Sequence, residues 1–355
     1  MRYSQIRPIR YAEFCAGIGG FRMGIATSKY RSVCVYKNEI DDKCEKTYFD
    51  NFGELFDSKD IFSVDSHTLP KFDVLCSGFP CQPFSIAGSR QGFLDNRGKI
   101  IFKLLEIISV CCPPIVFLEN VPNLARHERG DTLSKIIKEL ERMEYSVFTK
   151  IIDSSEFGLP QSRPRLYIVA FRNNEFPNVN FSFPSGNSVR KTVRDILNHG
   201  DNSIPISKKW HEYIDLYTNK KNIDALSFAP PKTRIKLERK AVDCNLDDCI
   251  LQIRSSGIRA YSLDGQFPTF AVSNSGGGAM IPVLTKERRH INLTEMKRLM
   301  GFGDDFVFTI NRTDSIKQLA NAVCPPVIHE LFDDITKVLL GTSEFNELPV
   351  KSYAV

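Results

Sequence analysis

Short apolar runs alternate with amphipathic stretches over the first 171 residues. The runs have the length of buried strands, and the longer stretches repeat apolar residues every three to four positions, as helices do. Strands are predicted at Tyr11–Cys15, Val33–Tyr36, Phe72–Cys76, Ile115–Leu118 and Leu166–Phe171. Helices are predicted from Phe21, from an Asp41 cap to about Phe49, from Ile100 to Ile108 and from Leu133 to Leu140. This alternation predicts an α/β fold with a doubly wound, mostly parallel sheet.

The pattern changes after Phe183. The stretch from Pro184 to Pro282 lacks regular periodicity. Helices return at Leu293–Met300, with Thr294 as a candidate cap, and at about Pro326–Leu340, which we expect to pack back on the first domain. We therefore predict a large domain over residues 1–188, a smaller irregular domain over 189–285, and a return segment over 286–355 that completes the large domain.

Composition is that of an ordinary globular protein, with 42% hydrophobic and 25% charged residues. No apolar run approaches the ~20 residues of a membrane span, and Met1–Arg10 lacks the apolar core of a secretory signal. The ten cysteines form no C-x-x-C pair. We therefore expect no membrane span, no metal site, no disulfide framework, and a reducing cytosolic compartment.

The net charge of +5 is concentrated in one segment. Residues Arg190–Arg259 hold 14 Lys and Arg against 9 Asp and Glu, which accounts for the whole excess. Such a segment is either an ordinary solvated face or the contact surface for a phosphate backbone, and composition leaves both open.

Cys81 stands between two prolines, directly after the third predicted strand, in the sequence D-V-L-C-S-G-F-P-C-Q-P-F-S at Asp73–Ser85. The prolines stiffen a loop at the carboxyl end of a strand, where open α/β sheets bind their ligands. A thiol held there is either a nucleophile or an inert cysteine beside a structural turn, and these residues alone leave both open.

A glycine-rich turn, Ala16–Gly20, follows the first strand and opens a helix. Glycines let a ligand approach the backbone, although an ordinary tight turn has the same sequence. Glu39, at the end of the second strand, is placed to accept hydrogen bonds from ribose hydroxyls. Both features fit a cofactor that contains adenosine, while no complete G-x-G-x-x-G favours a nicotinamide dinucleotide.

The sequence G-F-P-C-Q-P-F-S at Gly78–Ser85 resembles the signature of the DNA (cytosine-5) methyltransferases. The other matches follow in the family's order and cover nearly the whole chain except the basic segment. They are the glycine turn, Glu119-Asn120-Val121, the Q-x-R-x-R pattern Gln161–Arg165, the helix Arg289–Phe302, and Gln318–Val323, in which Ala320 replaces the usual glycine. The resemblance implies a Rossmann-like S-adenosylmethionine-dependent fold, with residues 1–188 as the catalytic and cofactor-binding domain and 189–285 as the target-recognition domain.

The resemblance also implies the reaction. A methyl group passes from S-adenosyl-L-methionine to C5 of a cytosine flipped out of a specific double-stranded DNA sequence, leaving S-adenosyl-L-homocysteine. The family's catalytic residues match Cys81 as the nucleophile at C6, Glu119 as the acid at N3, and Arg165 at O2 with Arg163 in support. Its cofactor residues match Phe14, Cys15, Gly17, Ile18, Gly19, Gly20, Glu39, Ile40, Asp60, Ile61, Pro80, Asn321 and Ala322. The family usually has phenylalanine where this chain has Cys15.

DNA contacts are implied in two places. The loop Ser85–Arg97 resembles a lid that closes on the DNA, with Ser85 and Arg97 as contacts. The segment Ile253–Ser262 resembles a recognition loop in the major groove. The residues implied there are Arg254, Ser256, Gly257, Arg259 and Tyr261. The alternative is a hairpin whose arginines touch only phosphates.

Three other functions compete with this one: the tRNA-methylating branch of the same family, a catalytically silent DNA-binding protein, and a redox enzyme that uses Cys81. The basic second domain argues against the first, the intact Cys81, Glu119 and Arg165 against the second, and the missing dinucleotide fingerprint against the third. By family habit we expect a monomeric prokaryotic or phage enzyme, cytoplasmic and associated with the nucleoid through DNA. Its cognate restriction endonuclease would be a genetic partner only.

Overall fold

The computed structural model describes residues 7–80, 100–187, 189–198, 203–241, 244–271 and 281–340. The chain divides into two compact units. The first contains Met1–Asp153, Pro164–Gly186 and Ala322–Val355, and the second contains Ser154–Arg163 and Asn187–Asn321. The chain therefore passes between the two units four times.

The first unit is built on a six-stranded sheet. Its strands, numbered in chain order with the rest, are β1 (Ile9–Phe14), β2 (Ser32–Asn38), β3 (Val74–Gly78), β4 (Ile115–Asn120), β5 (Tyr145–Asp153) and β7 (Pro164–Arg172). The spatial order is β2-β1-β3-β4-β7-β5. The three pairs among β2, β1, β3 and β4 are parallel, and both pairs of β7 are antiparallel. The predicted α/β fold with a mostly parallel sheet is confirmed, and β5 is an edge strand that the sequence pattern did not reveal.

Helices cover this sheet. They are α1 (Gly20–Ala26), α2 (Asp42–Phe52), α3 (Ile100–Cys111), α4 (Asp131–Arg142) and α9 (Pro325–Leu340). Asp41 caps α2 as predicted, because its side chain accepts a hydrogen bond from the Lys43 N–H at 2.9 Å. The final helix packs on α1, where a Cβ added to Gly24 would lie 2.6 Å from Ile328 Cβ. The chain thus returns to the first unit for this helix.

The second unit has a separate sheet in the order β8-β14-β13-β10-β11-β9, and a pair of short strands, β6 and β12. The strands are β6 (Gln161–Ser162), β8 (Ile204–Pro205), β9 (Leu237–Arg239), β10 (Cys249–Arg254), β11 (Gly257–Ser262), β12 (Phe267–Pro268), β13 (Val283–Leu284) and β14 (Arg289–His290). The helices are α5 (Lys208–Tyr217), α6 (Lys232–Ile235), α7 (Leu293–Met300) and α8 (Arg312–Asn321). Most of these strands have only two or three residues, too few to produce a recognisable alternation in the sequence.

The unit boundaries differ from the predicted domain boundaries at 188 and 285. Residues 286–321 lie in the second unit because buried charges fix α7 there. The Arg289 and Glu295 side chains are 7% and 0% exposed, and Arg289 Nη2 lies 2.7 Å from Glu295 Oε1. The predicted Thr294 cap is wrong, since the side chain of Asn292 accepts the hydrogen bond from the Glu295 N–H at 2.9 Å. The functions assigned to the two parts of the chain stay predictions.

Candidate active site

The carboxyl ends of β3 and β4 hold the backbone that leads to the predicted nucleophile. Asn120 Nδ2 donates a hydrogen bond to the Phe79 carbonyl at 3.0 Å, and Asn120 Oδ1 accepts one from the Val121 N–H at 2.8 Å. Asn120 is 2% exposed. This buried amide therefore fixes the residue two positions before Cys81 next to the end of β4. Cys81 itself, with Ser85 and Arg97, lies outside the described residues.

Glu119 and Arg165 form an ion pair across neighbouring strands. Register places Glu119 opposite Tyr167 in the antiparallel pair of β4 and β7, and Arg165 lies two residues before Tyr167 on the same face of β7. Glu119 Oε1 is 3.0 Å from Arg165 Nε, and the side chains are 10% and 14% exposed. Glu119 Oε2 lies 3.4 Å from a Cβ placed on Gly78, so the carboxylate also faces the end of β3. The pair offers a carboxyl group and a fixed cationic donor to one planar polar ligand.

Arg163, in the second unit, is buried and bonded to backbone carbonyls. It is 3% exposed, and it donates from Nη1 to the Phe270 carbonyl at 3.0 Å and from Nη2 to the Ala320 carbonyl at 2.7 Å. These contacts hold the segment after β12 and the end of α8. Ala320 occupies a regular helical position there, so its backbone conformation does not require the usual glycine.

The glycine turn and Glu39 are joined directly. The Gly17 N–H donates to Glu39 Oε2 at 2.9 Å, while Glu39 Oε1 accepts from the Ile40 and Asp41 N–H groups at 2.8 and 3.1 Å. Gly17 has φ +55°, and no atom lies within 4 Å of a Cβ built on it. The turn therefore presents its backbone to open space beside a carboxylate, which suits a ligand that carries hydroxyl groups.

A second carboxylate lies in the loop tied to the end of β2. Asn38 Nδ2 donates to the Asp57 and Lys59 carbonyls at 2.9 and 2.7 Å, and Asp60 follows in the chain. Asp60 is exposed, and its Oδ1 caps the turn Ile61–Ser63 by accepting from the Phe62 N–H at 3.1 Å. Ile40, next to Glu39, is 67% exposed. An exposed aliphatic side chain and two carboxylates fit the base, amino group and hydroxyls of adenosine.

The other predicted cofactor residues divide by burial. Phe14, Ile18 and Ile61 are 0%, 2% and 5% exposed, so they support the site from the core. Cys15 has φ +53°, and burial raises the pKa of its thiol to about 12, which keeps it neutral. Gly19, Gly20, Pro80, Asn321 and Ala322 lie at the ends of α1, β3 and α8. Their contact with a cofactor stays a prediction.

The predicted recognition loop is a hairpin with a two-residue turn, Ser255–Ser256, between β10 and β11. Arg254 and Ser256 are exposed. Arg254 Nε donates to Gln252 Oε1 at 3.0 Å, and Tyr261 Oη lies 3.4 Å from the same oxygen. The side chain of Arg259 is engaged differently, because its Nε donates to Glu238 Oε2 at 2.8 Å. Next to the turn is a cavity of about 240 Å³ that Arg254, Ser255 and Ser256 help to line.

The described residues contain neither a metal-binding group nor a membrane-spanning helix. Among them, no group of three or more His, Cys, Asp or Glu side chains is arranged to hold a metal ion. No helix in the same part of the chain is long and apolar enough to cross a membrane.

Comparison with known proteins decides the family. The model of the C-5 cytosine-specific DNA methylase family matches residues 9–337. The chain belongs to this family. The predicted resemblance is thereby confirmed, and the methylase is an enzyme of the DNA cytosine-5 methyltransferase class.

The methylase is similar to curated enzymes and to solved structures. It is 33% identical to the type II methyltransferase M.MspI of Moraxella sp over 331 residues, which cover 93% of this chain and 71% of that one. It is 32% identical to the type II methyltransferase M.HhaI of Haemophilus parahaemolyticus over 325 residues, 90% of this chain and 91% of that one. The Entamoeba histolytica methyltransferase EhMeth matches the fold with a TM-score of 0.63 and 20% identity, over 94% of this chain and 98% of that one.

Sequence reasoning missed some residues that position the site. It did not identify the Asn120 tie to Phe79 or the Asn38 tie to the Asp60 loop, although each asparagine ends a predicted strand. An asparagine at the carboxyl end of a predicted parallel strand is the signal that could have revealed both contacts.

Proposed function

We propose that this methylase transfers a methyl group to C5 of a cytosine within a specific double-stranded DNA sequence, as part of a type II restriction–modification system. The Glu119–Arg165 pair carries the proposal, because it holds a carboxyl group and a guanidinium side by side at 3.0 Å, next to Asn120, which binds the Phe79 carbonyl. Eight curated relatives, all named type II methyltransferases and 31–35% identical, support the substrate class.

The chemistry assigns a role to each side chain. C5 of cytosine is a poor nucleophile until the Cys81 thiolate adds to C6 and leaves an enamine-like C5. The Glu119 carboxyl group donates to N3 and so balances the charge that the addition creates. The Arg165 guanidinium holds the O2 oxygen, and Arg163 keeps its segment in place from the second unit. Once C5 has taken the methyl group, loss of the C5 proton releases the thiolate and restores the C5–C6 double bond. These steps need no metal ion.

The cofactor residues fit S-adenosyl-L-methionine. When bound it supplies the methyl group, and S-adenosyl-L-homocysteine remains. Glu39 would accept a hydrogen bond from a ribose hydroxyl at the acceptor position that remains on Oε2. Asp60 would accept a hydrogen bond from the adenine amino group, and Ile40 would cover the face of the base. The backbone of Gly17 and Gly19 would lie along the rest of the molecule. The fit rests on the Gly17–Glu39 hydrogen bond and on the open space at Gly17.

We also infer the cellular setting from the named relatives. The enzyme would act as a monomer on nucleoid DNA in the cytoplasm, beside a cognate restriction endonuclease that is a genetic partner only. The hairpin turn after Arg254 would enter the major groove.

A trapping experiment tests the reaction. Duplex DNA that contains 5-fluorocytosine at the target site should form a stable covalent adduct in the presence of S-adenosylmethionine, because fluorine cannot leave as a proton does. The Cys81→Ser variant should form no adduct and methylate no DNA while still binding it. The matched control Cys112→Ser should behave as the unmodified enzyme does. An adduct mapped to Cys76 or Cys324, or methylation of cellular RNA in place of DNA, would contradict the proposal.

A further inference from the structure

The connection between β4 and α4 contains a strained turn. After Asn120 the chain forms a 3-10 turn, Pro122–Ala125, anchored by the fully buried Leu124. The next residues, Arg126–Gly130, form what we call the arginine turn. Glu128 has φ 49° and ψ 41°, and Arg129 has φ 60° and ψ 26°. Left-handed backbone is unfavourable for a residue with a side chain, and such strain is concentrated at functional sites.

Specific contacts maintain this conformation. The Arg126 N–H donates to the Asn123 carbonyl at 3.0 Å. His127 Nδ1 lies 2.6 Å from Oγ1 of Thr132, which is 5% exposed, in the first turn of α4. The start of the arginine turn is therefore tied both to the preceding 3-10 turn and to a buried side chain of α4.

The turn presents two cations without a partner. Arg126 and Arg129 are exposed. Within the described residues, neither guanidinium has an ion pair or a hydrogen bond, and the one carboxylate in the turn, Glu128, is exposed as well. Arg142, at the other end of α4, pairs with Glu139 instead. A fixed, strained backbone that holds two unpaired guanidiniums in solvent indicates an anionic partner.

The position of the turn selects that partner. Arg126 follows Glu119 by seven residues, most of them in compact turns that rise about 2 Å per residue, so it lies within roughly 15 Å of the Glu119–Arg165 pair along the chain. A DNA duplex carries one phosphate charge per ~1.7 Å of its axis. A duplex whose target base reaches Glu119 therefore has several phosphates within about 15 Å of the Glu119–Arg165 pair, which is the reach of Arg126.

We propose that the arginine turn binds the DNA backbone, with the Arg126 and Arg129 guanidiniums each contacting a phosphate near the target cytosine. This inference rests on the proposed function and adds a contact outside the predicted lid and the recognition hairpin. Phosphate contacts orient a duplex and carry no base information. The turn therefore sets DNA affinity and leaves the choice of sequence unchanged.

The salt dependence of DNA binding tests the proposal. The double variant Arg126→Gln/Arg129→Gln should reduce the slope of log K against log salt by about 1.8, since each lost phosphate contact reduces it by about 0.9. The control Lys138→Gln/Arg142→Gln removes two exposed charges further along α4 and should leave the slope unchanged. In methylation assays the first variant should raise KM for DNA severalfold, with kcat and site preference unchanged.

Two further variants separate charge from strain. Arg126→Lys/Arg129→Lys keeps both charges and should keep the slope. Arg129→Gly removes one charge and the backbone strain, so it should reduce the slope by about 0.9 while raising the melting temperature. An unchanged salt slope in Arg126→Gln/Arg129→Gln would overturn the proposal, even if the unmodified enzyme methylates cytosine. An equal reduction of the slope in the control Lys138→Gln/Arg142→Gln would overturn it as well. Failure of the unmodified enzyme to methylate cytosine would instead reject the proposed function.

Discussion

At the scale of single residues, Glu39 connects three backbone N–H groups, one from the glycine turn and two from the start of α2. Glu39→Ala should weaken binding of S-adenosylhomocysteine by about 1.5–3 kcal/mol, the usual worth of hydrogen bonds to a charged group. The affinity of Glu39→Gln should fall between those of the unmodified enzyme and Glu39→Ala, because its amide keeps one acceptor oxygen. Calorimetry measures the affinities, with the exposed Glu141→Ala as control. Unchanged affinity in Glu39→Ala would remove this residue from the site.

Glu13 is a carboxyl group without a partner in the core of the first unit. It is 0% exposed on β1, and neither oxygen has a hydrogen-bond partner among the described residues. Burial raises its pKa from 4.5 to about 8, although the nearby Arg22 charge opposes the shift. Glu13 is therefore protonated in the folded enzyme at neutral pH, whereas the unfolded chain releases that proton above pH 4.5.

The raised pKa of Glu13 makes the folding stability fall as pH rises. Between pH 4.5 and 8 the unfolded state binds fewer protons than the folded state, so this group reduces stability as pH rises, by up to about 1.4 kcal/mol per pH unit. Glu13→Gln removes that dependence. The variant should match the unmodified enzyme near pH 4.5 and exceed it in stability near pH 8.5. Urea denaturation at both pH values measures the difference, and a variant that is less stable at pH 8.5 would show that Glu13 is ionised in the folded state.

At the scale of elements, α1, α2 and β2 are joined behind the glycine turn. Arg22 of α1 donates to Glu54 at 2.6 and 2.9 Å, and its guanidinium lies 5.0 Å from the centre of the Phe52 ring. Lys37 of β2 pairs with the same Glu54. Phe52 in turn packs on Gly19, where a Cβ would lie 2.4 Å from its ring. The shape of the cofactor turn therefore depends on helix packing behind it.

Gly19 and Gly53 both have left-handed backbone, but only Gly19 is packed against a side chain. Alanine substitutions at the two positions therefore distinguish the effect of packing from the effect of backbone strain. Gly19 has φ +81° and Gly53 has φ +67°, but no atom lies within 4 Å of a Cβ built on Gly53. Gly53→Ala should cost about 1 kcal/mol of stability and leave cofactor affinity unchanged. Gly19→Ala should cost more and weaken cofactor binding at least tenfold, because it displaces the turn. Adding Phe52→Ala to Gly19→Ala should recover part of the affinity, and no recovery would mean that Phe52 does not shape the turn.

The sequence predicted elements well where each one buries a long apolar face. β1 to β4, α2 and α9 have five or more residues each, and their bounds agree with the prediction within a few residues. β5 was missed because its exposed face, Thr149–Ile151, interrupts the apolar pattern. The antiparallel direction of β7 and the pairing of the two- and three-residue strands depend on long-range contacts, which local periodicity does not contain. For the same reason the Glu119–Arg165 ion pair was not predicted from the sequence.

At the scale of the whole molecule, the predicted recognition hairpin belongs to the part of the chain that carries the net positive charge. Arg254 and Arg259 were equal candidates for base contacts, and their side-chain partners now distinguish them. Glu238 engages both Arg259 and Lys240 in ion pairs, whereas Arg254 contacts the neutral Gln252. Arg254 is therefore the better candidate for a bidentate contact with guanine.

A comparison of methylated sites tests this assignment. Arg254→Ala should cost about 1–3 kcal/mol of discrimination and relax methylation at one position of the site. Arg259→Ala and the exposed control Arg239→Ala should lower methylation uniformly across sequences. Sequencing of methylated cytosines in cells that express each variant measures both effects. Relaxed preference in Arg259→Ala with Arg254→Ala unchanged would reverse the assignment.

The four chain crossings between the two units bear on how such enzymes exchange specificity during evolution. A recombination event that replaced only residues 187–321 would leave behind 154–163, which supplies β6 as the partner of β12 and Arg163 as the donor to Phe270 and Ala320. The ten residues that stay in the host chain must then match the incoming module. Because the Q-x-R-x-R pattern lies in and next to this short segment, an enzyme that received only residues 187–321 would keep its own β6 and Arg163. Exchange of the predicted recognition domain therefore requires an incoming segment that accepts both.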